Sequence, residues 1–295
     1  MAGTPLHADV RFWRDPALPG VEARSSTYTK STFRTHTHQA CIVSLVEAGR
    51  TCFTLGAGRL ERRHTAQAGQ IVVIEAETPH ACNPEAGNIF SYRLLALAPG
   101  WLAGTARAAR PAGATGMPPG PPPRFHRPVL DDPELFAAWR DLHEAFVWGA
   151  PVREKQALLM ACLRELVTRH ATPTLPRLDA QNPAVALARQ AIAASPGVWL
   201  PLEELAGQVG LSRHHFLRVF KSATGLPPHA YQLQQAIEHA KTLLVEGVPI
   251  SQTALDAGFA DQSHFSRCFR QFTGATPRQY MESKPCDAWP AAQGL

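Results

Sequence analysis

Three histidines, His36, His38 and His80, carry most of the chemical potential in the first third of the chain. An imidazole can donate or accept a hydrogen bond, change charge near neutral pH, or ligate Zn²⁺ or Fe²⁺ when several converge. Glu75 and Tyr92 stand close enough in sequence to join them around a small molecule, and Arg50 and Arg93 offer charge for a charged metabolite. The last hundred residues hold a different set. Arg213, His214, Leu217, Arg218 and Lys221 fall on one short segment, and Gln262, Ser263, His264, Arg267 and Arg270 on another. Arginine presents a bidentate fork to guanine, and Gln and Ser can read or position bases, so these side chains suit hydrogen-bonded readout of a groove.

The elements that must position the second set come from an internal repeat. LEELAGQVGLSRHHFLRVFKSATGLPPHAY begins at Leu202, and ISQTALDAGFADQSHFSRCFRQFTGATPRQY begins at Ile250. Ala206, Gly210, Phe216, Arg218, Phe220, Gly225, Pro228 and Tyr231 recur as Ala254, Gly258, Phe265, Arg267, Phe269, Gly274, Pro277 and Tyr280, the second copy having one extra residue in its turn. A small residue where two helices cross, a glycine for the tight turn and an apolar anchor in the second helix make each copy a helix-turn-helix. Between them, His229 to Glu246 carries Leu233, Ile237, Ala240 and Leu244 on one face and predicts a linker helix. At about 1.5 Å per residue it spans roughly 27 Å, enough to hold two recognition helices near the ~34 Å of one DNA turn.

The first half reads as β. Cys41–Val46, Thr51–Leu55, Gln70–Ile74 and Phe90–Leu97 are short alternating or apolar runs separated by glycines, the pattern of a barrel or sandwich. Pro99 to Pro123 is rich in Pro, Gly and Ala and predicts a loop, after which Arg124–Leu130 returns to the sheet. Asp131 or Asp132 can cap a helix bearing Leu135, Trp139, Leu142 and Phe146. A second helix carries Leu158, Leu159, Cys162, Leu163, Leu166 and Val167, a stripe wide enough to pack on the first and to offer surface to a second subunit. Thr172 to Pro183, with its prolines, predicts a linker.

Bulk properties fit two domains. The 295 residues are 45% hydrophobic and 18% charged, ordinary values for a globular chain that must bury a core in each half. A formal net charge of +5 is compatible with a polyanionic partner without requiring one. The six cysteines are scattered with no CxxC pair, which predicts reduced thiols. The N-terminal residues lack an apolar signal core, and no run has the length of a membrane span, so the expected location is the cytoplasm.

The tail, above all GFADQSHFSRCFRQFTGATPRQY, resembles the DNA-binding domain of the AraC/XylS family of bacterial regulators. HTHQACIVSLVEAG and AGQIVVIEAETPHACNPE resemble the cupin-like effector-binding domain that many of them carry. The resemblance implies an α+β protein: a cupin-like β-barrel at 1–130, a helical hairpin at 131–171 suited to dimerisation, a linker at 172–182, and an all-α double helix-turn-helix domain at 183–284. It places base contacts on His214, Leu217 and Arg218 and on Gln262, Ser263, His264 and Arg267, to which the polar face of the first segment adds Arg213; the effector contacts expected are His36, His38 and His80 with Glu75 and Tyr92, whose side chains suit a charged metabolite. Double-stranded promoter DNA, a small-molecule effector, a second copy of the chain and RNA polymerase are the implied partners, with no membrane, catalytic residue, cofactor or metal. Ala236, Thr253 and Met281 depart from the family pattern, where Arg, Ile and Arg are usual. The alternative is a metal-dependent cupin enzyme fused to a DNA-binding tail, against which stands the missing carboxylate a few residues after His38, the nearest being Glu47. An alkyl-transfer protein like Ada would need an activated cysteine, and none of the six lies beside a cationic cluster in sequence.

Overall fold

The computed structural model describes residues 8–28, 33, 35–56, 61–84, 89–108, 123–172 and 182–282. Among the described residues of the first half, nine strands precede or flank three helices: β1 (Ala8–Arg14), β2 (Val21–Tyr28), β3 (Cys41–Ala48), β4 (Arg50–Leu55), β5 (Arg62–Gln67), β6 (Ile71–Ile74), β7 (His80–Pro84), β8 (Phe90–Leu97), α1 (Pro99–Ala108), β9 (Val129–Leu130), α2 (Pro133–Val147) and α3 (Val152–His170). They form a six-stranded sheet in the order β1-β2-β8-β3-β6-β9 and a three-stranded sheet β5-β4-β7. The sheets do not close into the expected barrel; the α+β character stands, and an open space is left between the two sheets.

Strand periodicity decides what each face touches. On β3, Cys41, Val43 and Leu45 point to the helices and pack with Leu95 and Leu97 of β8 against Trp139, Leu142, Phe146, Leu163 and Leu166. The alternate residues Ile42, Ser44 and Val46, with Tyr92, Leu94 and Ala96 of β8, face the opposite way into the space between the sheets. Asp132 caps α2 through Leu135 N at 3.0 Å, as its position in the sequence predicts. Most of the apolar stripe of α3 is used inside: Leu159, Cys162, Leu163 and Leu166 are buried, and Leu158 and Val167, which pack against the same core, keep part of their surface exposed. The loop expected from Pro99 instead begins as helix α1, anchored by buried Leu102 and by Trp101 Nε1 donating to Pro19 O at 3.2 Å. Of the predicted linker, residues 173–181 lie outside the described residues.

The second half is helical: α4 (Pro183–Ala194), α5 (Leu202–Gln208), α6 (Arg213–Thr224), α7 (Pro228–Val245), α8 (Ile250–Asp256), α9 (Gln262–Thr273) and α10 (Pro277–Met281). Gly210 and Gly258 take φ of 67° and 79° in the two turns, a region that favours glycine. Ser212 and Asp261 cap α6 and α9 at matching places, accepting from His215 N and His264 N at 3.4 and 2.7 Å. The two units are braced together. A Cβ on Gly258 would lie 2.0 Å from Gly197 O, Trp199 Nε1 donates to Gly258 O at 2.6 Å, and the Gln232 amide bonds both Leu200 N and Leu200 O.

Candidate ligand cavity and nucleic-acid interface

A cavity of about 180 Å³ lies between the two sheets and is closed by the helical half. Its walls are Ile42, Phe53, Val72, Ile74, Phe90 and Tyr92 on the sheet side, and Glu238, Lys241, Phe272, Thr273 and Tyr280 on the side of α7, α9 and α10. His36, His38 and His80 stand together in it: the ring centroids are 4.3 Å apart for His36 and His80 and 4.6 Å for His38 and His80. The backbone sets this group, because His36 and His80 exchange N–H to C=O bonds of 2.9 and 2.8 Å that pin the 36–38 segment to β7. His38 Nδ1 meets Ala40 O at 2.7 Å and His80 Nδ1 meets Thr78 O at 2.9 Å. A carbonyl oxygen only accepts, so each Nδ1 carries the proton and each neutral ring keeps Nε2 as an acceptor. Burial, then the neighbouring His36, lowers His38 to about 3, and burial followed by His36 and His38 holds His80 well below its ordinary value. His38 and His80 are therefore neutral at physiological pH. Among the described residues no three His, Cys, Asp or Glu side chains are placed to hold a metal ion.

The structure thus brings together four of the five effector candidates, His36, His38, His80 and Tyr92. Glu75 is elsewhere: its carboxylate takes Arg124 Nη1 and, at 2.7 Å, Phe125 N, tying the returning segment to the sheet outside this cavity. Three lining residues that sequence reasoning missed are Phe12, Arg24 and Lys241. Lys241 sits on the face of α7 that apolar spacing assigns to packing, and Phe12 and Arg24 belong to strands without a clear alternation. The thiols of Cys41, Cys82 and Cys162 are pushed up to about 12, in each case chiefly by burial, which makes them poor nucleophiles.

The repeat exposes its polar faces to solvent. Arg213, His214, Arg218 and Lys221 are exposed along α6 and Leu217 is half-buried; Gln262, Ser263, His264 and Arg267 are exposed along α9. Phe216 and Phe220, and Phe265 and Phe269, are fully buried beneath them and fix the rotation of each helix. Arg213 is held at 2.8 Å by Glu203, whereas neither Arg218 nor Arg267 pairs with a carboxylate among the described residues. Thr253 fills its apolar position by donating Oγ1 to Val248 O at 3.2 Å, Ala236 is buried, and Met281 is exposed.

Two braced helix-turn-helix units with outward polar faces, carried by a β-rich half that shares a cavity with the second of them, define a ligand-responsive DNA-binding regulator. Residues 18–167 match the family model described as an AraC-like ligand binding domain, and residues 205–283 match one described as a helix-turn-helix domain. The chain belongs to the AraC-type family of transcription regulators, with both the ligand-binding and the DNA-binding domain. It is similar to the uncharacterized HTH-type transcriptional regulator YbfI of Bacillus subtilis, 25% identical over 251 residues that cover 85% of this chain and 87% of that protein. RipA of Corynebacterium glutamicum is 32% identical over 161 residues, 55% of this chain and 45% of RipA. Among solved structures, ToxT of Vibrio cholerae shares the fold, with a TM-score of 0.54 at 12% identity over 94% of this chain and 96% of that one. Wild-type ToxT with an unsaturated fatty acid bound gives 0.55 at 13% identity, covering 97% and 98%. Among the described residues no helix is long and apolar enough to cross a membrane.

Proposed function

We propose that a small organic effector occupies the cavity between the sheets and that its occupancy sets how the second helix-turn-helix unit is held, and so how the chain engages promoter DNA. The observation that carries this reading is the shared wall: one cavity is lined by the effector half and by Glu238, Lys241, Phe272 and Tyr280 of the helical half. A ligand there touches both halves and has the differential contacts that a switch requires. ToxT with its bound fatty acid is a precedent for an occupied regulator of this fold. His36, His38, His80 and Tyr92 are the contacts assigned to the effector. Arg213, His214, Leu217, Arg218, Gln262, Ser263, His264 and Arg267 are assigned to the major groove, in two adjacent segments. The chain works without catalysis, in the cytoplasm, as a homodimer that brings two copies to one promoter and there meets RNA polymerase. Its domains are taken as 1–130, 131–171 and 183–284, joined by the linker at 172–182.

Selection from a random duplex library supplies an operator, against which R218A and R267A are then measured with single-base variants at two salt concentrations. Each substitution should cost about 1–3 kcal/mol and relax the preference at one base pair, the two positions lying about one helical turn apart. A contact to phosphate would instead weaken all sequences alike and reduce the salt dependence by about one unit of slope. Unchanged affinity and preference in both variants would remove α6 and α9 from the groove.

A further inference from the structure

The cavity holds an arginine that no carboxylate among the described residues bonds directly. Arg24 of β2 lines it, is densely surrounded by protein, and keeps part of its surface open to the space. Among the described residues its hydrogen bonds go to neutral groups: Nε donates to Ser26 Oγ at 2.7 Å, Nη2 donates to Tyr28 OH, and the planar group lies 5.3 and 5.8 Å from the centroids of Phe12 and Tyr92, while Glu22 acts on it through space alone. No carboxylate among the described residues pairs with it. The acids nearby are engaged: Glu22 Oε2 takes Arg14 Nε at 2.7 Å and Tyr280 OH at 2.9 Å, and Glu238 takes Lys241 Nζ at 2.8 Å. With His38 and His80 neutral, Arg14 bonds Glu22 from outside the lining, Lys241 bonds Glu238, and of these five charged groups Arg24 leaves one positive charge over.

A guanidinium stays protonated whatever its surroundings, so burial cannot neutralise it as it would a lysine or a histidine. A charge held out of water without a directly bonded opposite charge is unfavourable. Two of its five N–H donors are used within the chain, and those that remain on the two Nη atoms form the fork that suits a carboxylate. We propose that the effector is a monoanion, a carboxylate carried on an apolar body, and that Arg24 is its anchor. One surplus charge matches a single carboxylate, and Phe53, Val72, Ile74 and Phe90 receive the apolar remainder. The Nε2 acceptors of His38 and His80 select ligands that also bear a hydroxyl or N–H donor. The proposal rests on the cavity being the effector site.

The test is calorimetric titration of the full chain with two matched pairs, octanoate against octanol and naphthoate against naphthol, which share an apolar body and differ in charge. The carboxylates should bind about tenfold or more tighter than their alcohols. R24Q should bring each pair within about twofold while leaving the alcohols unchanged, a selectivity that a merely structural Arg24 would not control. R24K keeps the charge and should retain a preference of about threefold or more. Alcohols that bind the wild type as well as carboxylates, a preference that survives R24Q, or its loss in R24K, overturns the anion assignment and leaves the cavity reading standing. Failure of all four compounds to bind a folded chain overturns both.

Discussion

The two helix-turn-helix units are near copies in sequence, capped alike and ended alike by a left-handed glycine, yet they rest on different foundations. The first has a core of its own, in which Phe216 and Phe220 pack with Val185, Ala188 and Ile192 of α4 and with Leu205 and Tyr231. The second has no such private core: Phe265, Phe269 and Tyr280 belong to one apolar cluster with Val10, Phe12 and Tyr28 of β1 and β2. Arg14 strengthens the junction, its guanidinium 4.0 Å from the Tyr280 ring centroid and its Nη1 donating to Tyr280 O at 3.2 Å. Duplication of a motif thus produced one unit that is self-supporting and one whose packing reports the state of the sensing half. A signal in the cavity has a direct route to α9, and reaches α6 less directly, through α7, which Gln234 ties to Thr37, through the brace, or through the contact of Arg189 with Glu77.

The sharpest way to break this contrast is to hollow out each unit in turn. F216A and F265A should each cost about 3–5 kcal/mol by the loss of a fully buried ring and the cavity left behind. Only F265A should also raise hydrogen exchange in β1 and β2. Equal exchange there in both variants would mean that the second unit is as independent as the first.

Acid offers a second approach. Burial, before any other cause, depresses His38 to about 3 and His143 to about 4 and holds His80 well below its ordinary value. The unfolded chain, with histidines near 6.5, therefore binds more protons than the folded one as pH falls below that value. The stability associated with their neutral forms is full above about pH 6.5 and is lost progressively below it, at up to about 1.4 kcal/mol per pH unit for each histidine. Urea unfolding at pH 7, 6 and 5 measures the loss. His36 packs 6.2 Å from Phe272 of α9, so exchange should quicken in the second unit before the first. A flat profile, or loss in the first unit first, would contradict the assignment of the cavity to the second.

How much of this was legible beforehand divides along the same line. The repeat fixes its own geometry, because Gly210 and Gly258, the caps and the buried phenylalanines all act within a few residues of one another. The histidine group was legible because HTH and TPH lie on paired segments whose bridge is local to the sheet. Arg24 was not: β2 reads VEARSSTY, where polar residues obscure the alternation, and the arginine gains its meaning from docking against α9 hundreds of residues later. Glu75 looked like a cavity residue and instead serves a segment some fifty positions on, a pairing that no local spacing reports.

The smallest expected effect concerns the first unit's link to the sensing half. Glu77 is the one described residue other than glycine with positive φ, at 60°, and its backbone N–H is held by His38 O at 2.8 Å. In that posture its carboxylate meets Arg189, which also donates to Tyr231 OH at 3.0 Å. Both partners are partly exposed, so E77Q should lower stability by less than about 1 kcal/mol, with the difference vanishing at high salt. A larger loss by chemical denaturation would show that the first unit leans on the sensing half more than its core suggests.

The contact between Gly197 and Gly258 carries a last consequence, for the DNA rather than the protein. With backbone pressed on backbone and Trp199 bonded across the gap, sliding or swivelling of the two units would break this contact. Adding one base pair between two half-sites moves them about 3.4 Å further along the axis and turns one about the other by roughly 34–36°. A flexible tether would absorb that change more readily than this brace, so if both units read the groove as proposed, the spacer length of a promoter becomes part of its address.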